Sequence, residues 1–467
     1  MSYFSIEFGL CFIVFFLLYW CLNFSLRVQN LLLLAASYGI LASFNLNFLY
    51  ILLGYSAAVF GLGQLSARYP GRRLTYGAIL ALVLGCFYFF KYQDFFVSGA
   101  QQGLQAMGLD VALPLMEVLL PVGMSFYIFH SVSYLMGINR GTLKPAAPLD
   151  LAVYLAFFPS LIAGPVNRAE HLLPQIRPTA PREVLEPQRA LGLVALAVVK
   201  LFLFSTWLAN NWVDPVFDTP TGFSPEQILL AIYGYSLQIY FNFSGYTNLV
   251  TGIALLLGFR LPRNFDYPYL ARNLKEFWDR WHISLSKFIR DFVYIPLGGN
   301  RRGFWRSNLN LFAAMVISGL WHGASVNFLI WGALHGLGLI VYKLYSRAFP
   351  GERSWPGADL LARLLTFHYV AFAWIFFRSA TLEDTQDMLA GLTHLSFSGV
   401  AQGPWGGILA CLALVAAYPW LVRSMRKAFA ASQHIPWLVY PVPLGVFISM
   451  VIFASPSGVP GFIYASF

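Results

Sequence analysis

The stretch NLFAAMVISGLWHGASVNFLIWGALHGLGLIVY (residues 310–342) contains no lysine, arginine, aspartate or glutamate. It divides at Gly323 into two apolar runs, for which we expect spans at 307–321 and 326–342, and a membrane-spanning helix needs about 20 mostly apolar residues. Similar runs recur along all 467 residues without a large polar domain between them. The sequence therefore predicts an all-α, polytopic membrane protein with one integral membrane domain over residues 1–467.

Composition supports the membrane assignment. Hydrophobic residues make up 58% of the chain and charged residues 11%, whereas about a quarter of the residues in a soluble domain are charged. A water-soluble fold is therefore excluded. The net charge of +10 comes from basic residues in short loops, where membrane topology rather than nucleic-acid binding explains it. The four cysteines lie in apolar runs without CxxC spacing, so we expect neither a disulfide framework nor a metal site.

The apolar runs predict about 11 to 12 transmembrane helices, together with interfacial and half-inserted helices. Basic residues concentrate in alternate loops, which places Arg68–Arg73, Arg140–Lys144 and Arg168–Arg189 on the cytoplasmic side. The acidic loops between them would face the periplasm or exterior. The expected spans are 8–25, 30–44, 46–64, 74–92, 118–138, 190–209, 228–257, 307–321, 326–342, 364–380, 404–422 and 436–454.

Two segments differ from simple spans. Residues 150–165 are apolar but interrupted by proline and glycine, which favours a half-inserted or interfacial segment. The run 228–257 is interrupted by NFSGYTN (Asn242–Asn248). We expect there either a break that lines a cavity at mid-membrane depth, or a kink whose freed backbone groups bond to serine and asparagine.

The stretch Arg260–Arg306 is the most polar in the chain, with ten lysines and arginines against four acidic residues. Its apolar residues recur at spacings of three and four, which predicts one helix with a single apolar stripe along the cytoplasmic interface. A simple surface anchor would show the same pattern, but His282, beside Trp281, favours a functional role. The stripe residues are Leu270, Leu274, Phe277, Trp281, Leu285, Phe288, Phe292 and Ile295.

His322 is the strongest candidate for chemistry. Sixteen helical residues from the cytoplasmic Arg306 rise about 24 Å, most of a hydrocarbon core about 30 Å thick. An ionisable side chain at that depth is costly and indicates a functional site. A neutral imidazole there could accept a proton from a hydroxyl or thiol. The alternative is that His322 only packs against neighbouring helices. We expect such packing for His130 and His368. His335 is a stronger functional candidate than these two but a weaker one than His322.

The remaining motif is LGGNRRG (Leu297–Gly303), which is rich in glycine and positive charge. Its backbone amides, with Asn300, Arg301 and Arg302, could bind the phosphates of an acyl donor. It is equally compatible with a turn followed by lipid-facing positive charge. The chain contains no Walker loop, no HExxH and no GxSxG sequence that would indicate another enzyme class.

Several of these motifs together resemble the membrane-bound O-acyltransferase family, in particular its bacterial polysaccharide O-acetylation branch, which includes alginate O-acetylation. The resemblance covers most of the chain, with the catalytic segment at about 228–342. The matching sequences are NLKEFWDRWHISLSKFIRDFVYIPLGGNRRG (273–303), NLFAAMVISGLWHGASVNFLIWGALHG (310–336), PVGMSFYIFHSVSYL (121–135) and YFNFSGYTNLVTGIALLLGFRLPRNFDYPY (240–269).

The resemblance implies a role for specific residues. The family's essential histidine, in its WHG motif, falls on His322, and its second histidine, in RWHISLS, falls on His282. The helices would surround a central funnel or tunnel that an acyl donor enters from the cytoplasm. Asn242, Asn248 and Gly137 each occupy a position where many relatives have aspartate. Any role that those aspartates play in the family is therefore in doubt for this chain.

The resemblance implies an O-acyltransferase in the bacterial inner membrane. It would move an acetyl group from acetyl-CoA, a substrate rather than a permanently bound cofactor, across the membrane. A periplasmic acetyltransferase or acyl-accepting protein would then modify a secreted or cell-surface polysaccharide such as alginate or cellulose. LGGNRRG favours this branch over D-alanyl transfer to a cell-wall polymer. Non-enzymatic interpretations are a transporter or channel and a scaffold for polysaccharide export.

Overall fold

The computed structural model describes residues 6–114, 118–351, 356–393, 405–432, 436, 439 and 441–454. Within these ranges the chain forms helices and loops, and no residue lies in a β-strand. The α-helices are α1 (Ile6–Cys21), α2 (Leu26–Phe44), α3 (Leu46–Arg68), α4 (Arg73–Phe87), α5 (Gln93–Ala106), α6 (Met124–Asn139), α7 (Pro148–Ala156), α8 (Ala169–Ile176), α9 (Pro187–Val198), α10 (Thr206–Leu208), α11 (Asp214–Asp218), α12 (Pro225–Leu256), α13 (Leu274–Arg280), α14 (Ile283–Ile289), α15 (Gly303–His322), α16 (Val326–Ala348), α17 (Ala358–Arg378), α18 (Leu382–Leu392), α19 (Trp405–Ser432) and α20 (Pro441–Ala454).

Several helices contain or adjoin a π-helical segment, in which hydrogen bonds reach five residues along the chain. Such segments are uncommon and occur frequently at functional sites. Two of them, Val199–Ser205 and Arg290–Tyr294, carry basic residues that reappear below. The others described are Tyr88–Tyr92 and Ala209–Val213.

In the described part of the chain, seven helical segments are long and apolar enough to cross a bilayer. Three shorter apolar helices accompany them, at Glu7–Cys21, Pro148–Ser160 and Val442–Val451. The seven segments are Leu26–Phe44, Leu46–Arg68, Arg73–Ala106, Pro187–Asp218, Val326–Ala348, Ala358–Arg378 and Trp405–Ser424.

The prediction of an all-α polytopic membrane protein is confirmed. The seven segments are fewer than the 11 to 12 expected spans, because α12 and α15 are long but more polar and α6 has 16 residues. The interrupted segment near residue 150 forms the nine-residue α7, whose length of about 14 Å is too short to cross a bilayer. The central funnel or tunnel stays a prediction.

Outward-facing side chains on the first helix are apolar. Leu10, Ile13, Val14 and Leu17 of α1 are each more than half exposed. In water such a surface would be unfavourable by about 25 cal/mol for each Å² of apolar area. A lipid environment removes that cost, which agrees with the membrane assignment.

Two compact units of contacts divide the chain: Met1–Ala190 with Val250–Pro262, and Leu191–Leu249 with Arg263–Phe467. The first unit contains the buried guanidinium of Arg182, which donates to the Tyr19 hydroxyl, the Asn30 side-chain oxygen and the Ile176 carbonyl. The single domain expected over residues 1–467 stays a prediction.

The second unit contains every candidate site residue of the sequence, and within it α15 and α16 pack unusually closely. A Cβ atom on Gly332 would lie 2.6 Å from the Met315 carbonyl oxygen and 2.9 Å from the Val316 Cα. A Cβ on Gly319 would overlap the Phe328 carbonyl oxygen. Small residues that let two backbones approach are a recurrent device in membrane proteins, where helices associate by close packing. These glycines therefore set the position of the C-terminal end of α15.

We expect Gly332→Ala to destabilise the protein, because its new methyl group must push α15 and α16 apart. Overpacking of this kind costs about 1–3 kcal/mol. The melting temperature of the purified full chain in detergent measures the effect. Gly54→Ala is the matched control, since Gly54 lies inside α3 with no atom within 4 Å of the added Cβ. Equal melting temperatures for the two variants would contradict the close packing of α15 and α16.

Candidate functional site

His322 is the last residue of α15, and its imidazole is 3% exposed. Aromatic rings from three helices surround it. The ring centroids of Trp321, Trp331 and Phe377 lie 4.6, 5.1 and 5.0 Å from that of His322. Gly323, which follows it, has no room for a side chain, because a Cβ would overlap the Phe328 ring. The joint expected at Gly323 is confirmed, since α15 ends at His322 and α16 begins at Val326, whereas the membrane depth of His322 stays a prediction.

His282 lies at the junction of α13 and α14, where its backbone takes a left-handed conformation with φ 42° and ψ 52°. A non-glycine residue in this region costs about 1–3 kcal/mol and persists when the surroundings enforce it. The single continuous helix predicted here is therefore wrong, because the chain breaks at Trp281 and His282. The apolar stripe is largely confirmed, with Leu274, Phe277, Trp281, Leu285 and Phe288 buried and Ile295 exposed.

A loop segment holds this break in place. The Ile283 amide donates to the Asn264 carbonyl at 2.9 Å, and the Asp266 amide donates to the Arg280 carbonyl at 2.9 Å. These bonds satisfy backbone groups that a continuous helix would have paired internally. Asn264 is 18 residues away in sequence, so helical periodicity alone could not reveal the break.

The Asn264 side chain also determines which nitrogen of His282 carries hydrogen. Its oxygen accepts from the Ser284 amide at 3.3 Å and from the Ser284 hydroxyl at 2.8 Å. A backbone N–H can only donate, which identifies this atom as the carboxamide oxygen. The same oxygen lies 3.1 Å from Nδ1 of His282, so Nδ1 donates and Nε2 bears the lone pair. Burial lowers the pKa of the imidazole to about 3, and it is neutral at pH 7.

The structure brings the two predicted histidines to the same tryptophan. The Trp321 ring centroid lies 6.3 Å from that of His282 and 4.6 Å from that of His322. The two imidazoles thus flank one indole in a region from which water is largely excluded. Because electrostatic interactions strengthen in such a region, this is a suitable setting for proton transfer.

The other histidines are placed differently. His335 of α16 is fully buried, and the rings of Trp278 and Trp331 lie 5.0 and 4.9 Å from it. His368 donates from Nδ1 to the Leu364 carbonyl at 2.7 Å and bonds through Nε2 to the Tyr233 hydroxyl at 2.8 Å. The bond to a helix carbonyl fits the role expected of His368, but the residue is exposed rather than buried, so a packing role stays a prediction.

The LGGNRRG segment forms a turn that is fastened to α15. Gly298 and Gly299 have φ 116° and 51°, which favour glycine. The Asn300 side-chain oxygen accepts from the Tyr294 hydroxyl at 2.6 Å and from the Ser307 hydroxyl at 2.8 Å. Arg301 and Arg302 are exposed beside a cavity of about 490 Å³. Asn300 thus fixes the turn while the two arginines remain at its surface.

A larger cavity of about 690 Å³ lies among α13, α14, α15 and α16. Its lining includes Ile283, which follows His282, and Ser318, which lies one helical turn before His322. The two cavities share lining residues Arg290, Tyr294 and Asn300. Basic side chains predominate among the charged residues of the larger lining, namely Lys275, Lys287, Arg290, Lys343 and Arg347. The sequence did not reveal this cluster, because its members come from separate helices.

The NFSGYTN segment does not break its helix, since α12 runs without interruption from Pro225 to Leu256. Of the two alternatives expected here, the break is wrong, because the small residues serve packing and polar contact instead, and the kink stays a prediction. A Cβ on Gly245 would lie 2.7 Å from Leu201 Cγ. The Ser244 hydroxyl accepts from the Lys200 ammonium at 3.0 Å. The sequence analysis did not single out Lys200. A lone lysine inside the apolar run 190–209 could have indicated it, because charged residues within such runs are costly.

The chain is similar to known proteins of one enzyme family. Residues 139–356 match the family model described as MBOAT, membrane-bound O-acyltransferase family. A probable alginate O-acetylase AlgI of Pseudomonas syringae pv. tomato is 36% identical, with 76% of this chain and 68% of the relative covered. A peptidoglycan O-acetyltransferase of Helicobacter pylori is 34% identical over 66% of this chain and 62% of the relative.

A teichoic acid D-alanyltransferase of Bacillus subtilis is similar at 28% identity, over 55% of this chain and 68% of the relative. All three relatives carry the name of an acyl-transferring enzyme. With the family model and the multi-helix membrane fold, these similarities show that the chain belongs to the membrane-bound O-acyltransferase family and is an acyltransferase.

Proposed function

We propose that the protein transfers an acetyl group from acetyl-CoA, bound on the cytoplasmic side of a bacterial inner membrane, for O-acetylation of a secreted or cell-surface polysaccharide. The observation that carries this proposal is the 690 Å³ cavity, whose lining includes five basic side chains and extends to Ile283, the residue after His282, and to Ser318, one helical turn before His322. Its volume falls within the range of about 300–1,000 Å³ that is usual for small-molecule sites.

Charge supports a phosphorylated donor. The lining holds five lysine and arginine side chains but one aspartate, Asp279, which is bonded to Lys275 at 2.9 Å. Phosphate groups favour such surroundings through charge-assisted hydrogen bonds. In the proposal, Arg301 and Arg302 contact the outer part of the donor from the adjoining cavity, and Asn300 holds their turn in place.

The two imidazoles divide the chemistry. His322 takes the proton of the acceptor hydroxyl while the hydroxyl oxygen forms a bond to the acetyl carbonyl carbon. The carbon–sulfur bond then breaks, and the thiolate of CoA leaves and recovers the proton. His282, neutral and with its lone pair on Nε2, accepts a hydrogen bond from the donor. General-base help of this kind accelerates a reaction by about 10²- to 10⁴-fold.

The names of the relatives support a glycan acceptor. Alginate and peptidoglycan are both glycan polymers, which supports a polysaccharide as the final destination of the acetyl group. A periplasmic acetyltransferase or acyl-accepting protein would complete the transfer. The D-alanyl alternative is less supported, since the alginate O-acetylase is 36% identical to this chain and the D-alanyltransferase 28%.

Replacement of the candidate base should abolish the modification. We expect His322→Ala in the full chain to lower the acetyl ester content of the polymer at least about 100-fold, because no imidazole remains to accept the proton. Mass spectrometry of the polymer from cells with equal protein levels measures this. His368→Ala, which removes a histidine bonded to Leu364 and Tyr233, is the matched control.

Two outcomes would contradict the proposal. Normal acetylation in His322→Ala cells would remove His322 from the chemistry and favour a transporter or scaffold. Alanyl esters in place of acetyl esters in wild-type cells would show that the donor is a D-alanyl carrier.

The Asn264 contact should also affect the rate. We expect Asn264→Ala to slow acetylation about 10- to 100-fold, because loss of a partner that orients a functional histidine has effects of this size in comparable sites. Asn264→Asp keeps an oxygen that accepts from Nδ1 and should restore most of the rate. Initial acetylation rates in membranes with matched protein levels test both variants. Equal rates for Asn264→Ala and wild type would disprove the role of this contact.

A further inference from the structure

Lys343 of α16 is held in place by two polar side chains of α15. Its ammonium donates to the Ser307 hydroxyl at 2.8 Å and to the Asn308 side-chain oxygen at 2.9 Å. Ser307 and Asn308 are 3% and 7% exposed, so both acceptors are fixed by packing. An ammonium has three N–H donors, and these two bonds leave the third for a ligand in the 690 Å³ cavity, whose lining includes Lys343.

Ser307 connects this lysine to the glycine-rich turn. Its hydroxyl accepts from Lys343 and donates to the Asn300 oxygen at 2.8 Å. Tyr294 donates to the same Asn300 oxygen at 2.6 Å. The lysine, α15 and the turn therefore form one hydrogen-bonded unit. A cation that is already ordered loses less conformational entropy on binding a ligand than a flexible surface side chain does.

The charge of Lys343 is not offset by the groups that hold it. Its partners are a hydroxyl, an amide oxygen and the Phe304 ring, whose centroid lies 5.7 Å from the ammonium. By contrast, Lys275 and Arg290 in the same lining are bonded to Asp279 and Asp291 at 2.9 and 2.6 Å. Arg347 also lies over Phe304, at 4.7 Å, and adds a second positive charge beside Lys343.

We propose that Lys343 determines donor specificity by binding the diphosphate of the acyl donor, so that the enzyme selects acyl-CoA over thioesters that lack phosphate. This inference rests on the proposed function, which names acetyl-CoA as donor. Arg347 adds to the attraction, whereas Ser307 and Asn308 act as positioning residues because they contact the ligand through Lys343. The thiol end of the donor would extend through the cavity toward Ile283 and Ser318.

The test compares two stable probes, coenzyme A and pantetheine, with the purified full chain in lipid nanodiscs. Pantetheine has the same thiol arm without the diphosphate and adenosine. We expect Lys343→Met to weaken coenzyme A binding about 10- to 100-fold, the range for loss of a hydrogen bond to a charged group. Pantetheine binding should not change. Lys343→Arg should retain most of the affinity for coenzyme A.

Two further variants separate this role from general effects of charge and folding. Lys287→Met removes another lining cation that lies outside the hydrogen-bonded unit, and should weaken coenzyme A binding less than Lys343→Met. Asn308→Ala keeps the cation but removes one of its holders, and should give an intermediate loss. Because Asn308→Ala leaves Lys343 in place, it also tests the inference if Lys343→Met fails to fold.

Three results would overturn the inference. These are equal coenzyme A affinity in wild type and Lys343→Met, equal losses for both probes, or equal losses in the Lys287→Met and Lys343→Met variants. In each of these cases wild type still binds coenzyme A, so the proposed donor stands. If wild type binds no coenzyme A, the proposed donor is wrong and this inference fails with it.

Discussion

The close approach of α15 and α16 is the contact on which the rest of the site depends. Glycines at positions 319 and 332 let the backbones meet, and in a bilayer such packing replaces much of the hydrophobic driving force that brings soluble helices together. The crossing places His322, at the end of one helix, against Trp331 of the other. It also brings Lys343 of α16 to Ser307 of α15. The proposed chemical end and the proposed donor-binding end of the cavity thus share one rigid support.

The two histidines reach their positions by different means. His322 is carried by a regular helix and ends it, whereas His282 occupies a left-handed turn that Asn264 enforces. A strained backbone and a fixed tautomer are features that proteins use to hold a functional group in one orientation. The regular helix brings His322 against α16, and the turn fixes the orientation of His282.

Much of this could be predicted from the sequence, because composition and periodicity report burial directly. They predicted the all-α membrane class and the buried stripe from Leu274 to Phe288, whereas the depth of His322 in the membrane stays a prediction. Composition and periodicity failed where contacts with a distant segment determine the backbone conformation. Asn264 interrupts the expected helix at His282. In NFSGYTN, by contrast, the helix stays unbroken, because Gly245 packs against Leu201 and Ser244 accepts a hydrogen bond from Lys200. The basic cavity escaped detection for the same reason, since its cations converge from separate helices.

The aromatic surroundings of His322 have a kinetic meaning. Every acyltransferase faces competition from water, which is present at a concentration far above that of any acceptor and destroys the activated ester without useful product. Trp321, Trp331 and Phe377 surround the imidazole with apolar rings, and burial of His322 limits the access of bulk water to it. In the proposed reaction, limited access of water would protect the thioester of the donor, so that the donor is consumed mainly when an acceptor hydroxyl is bound.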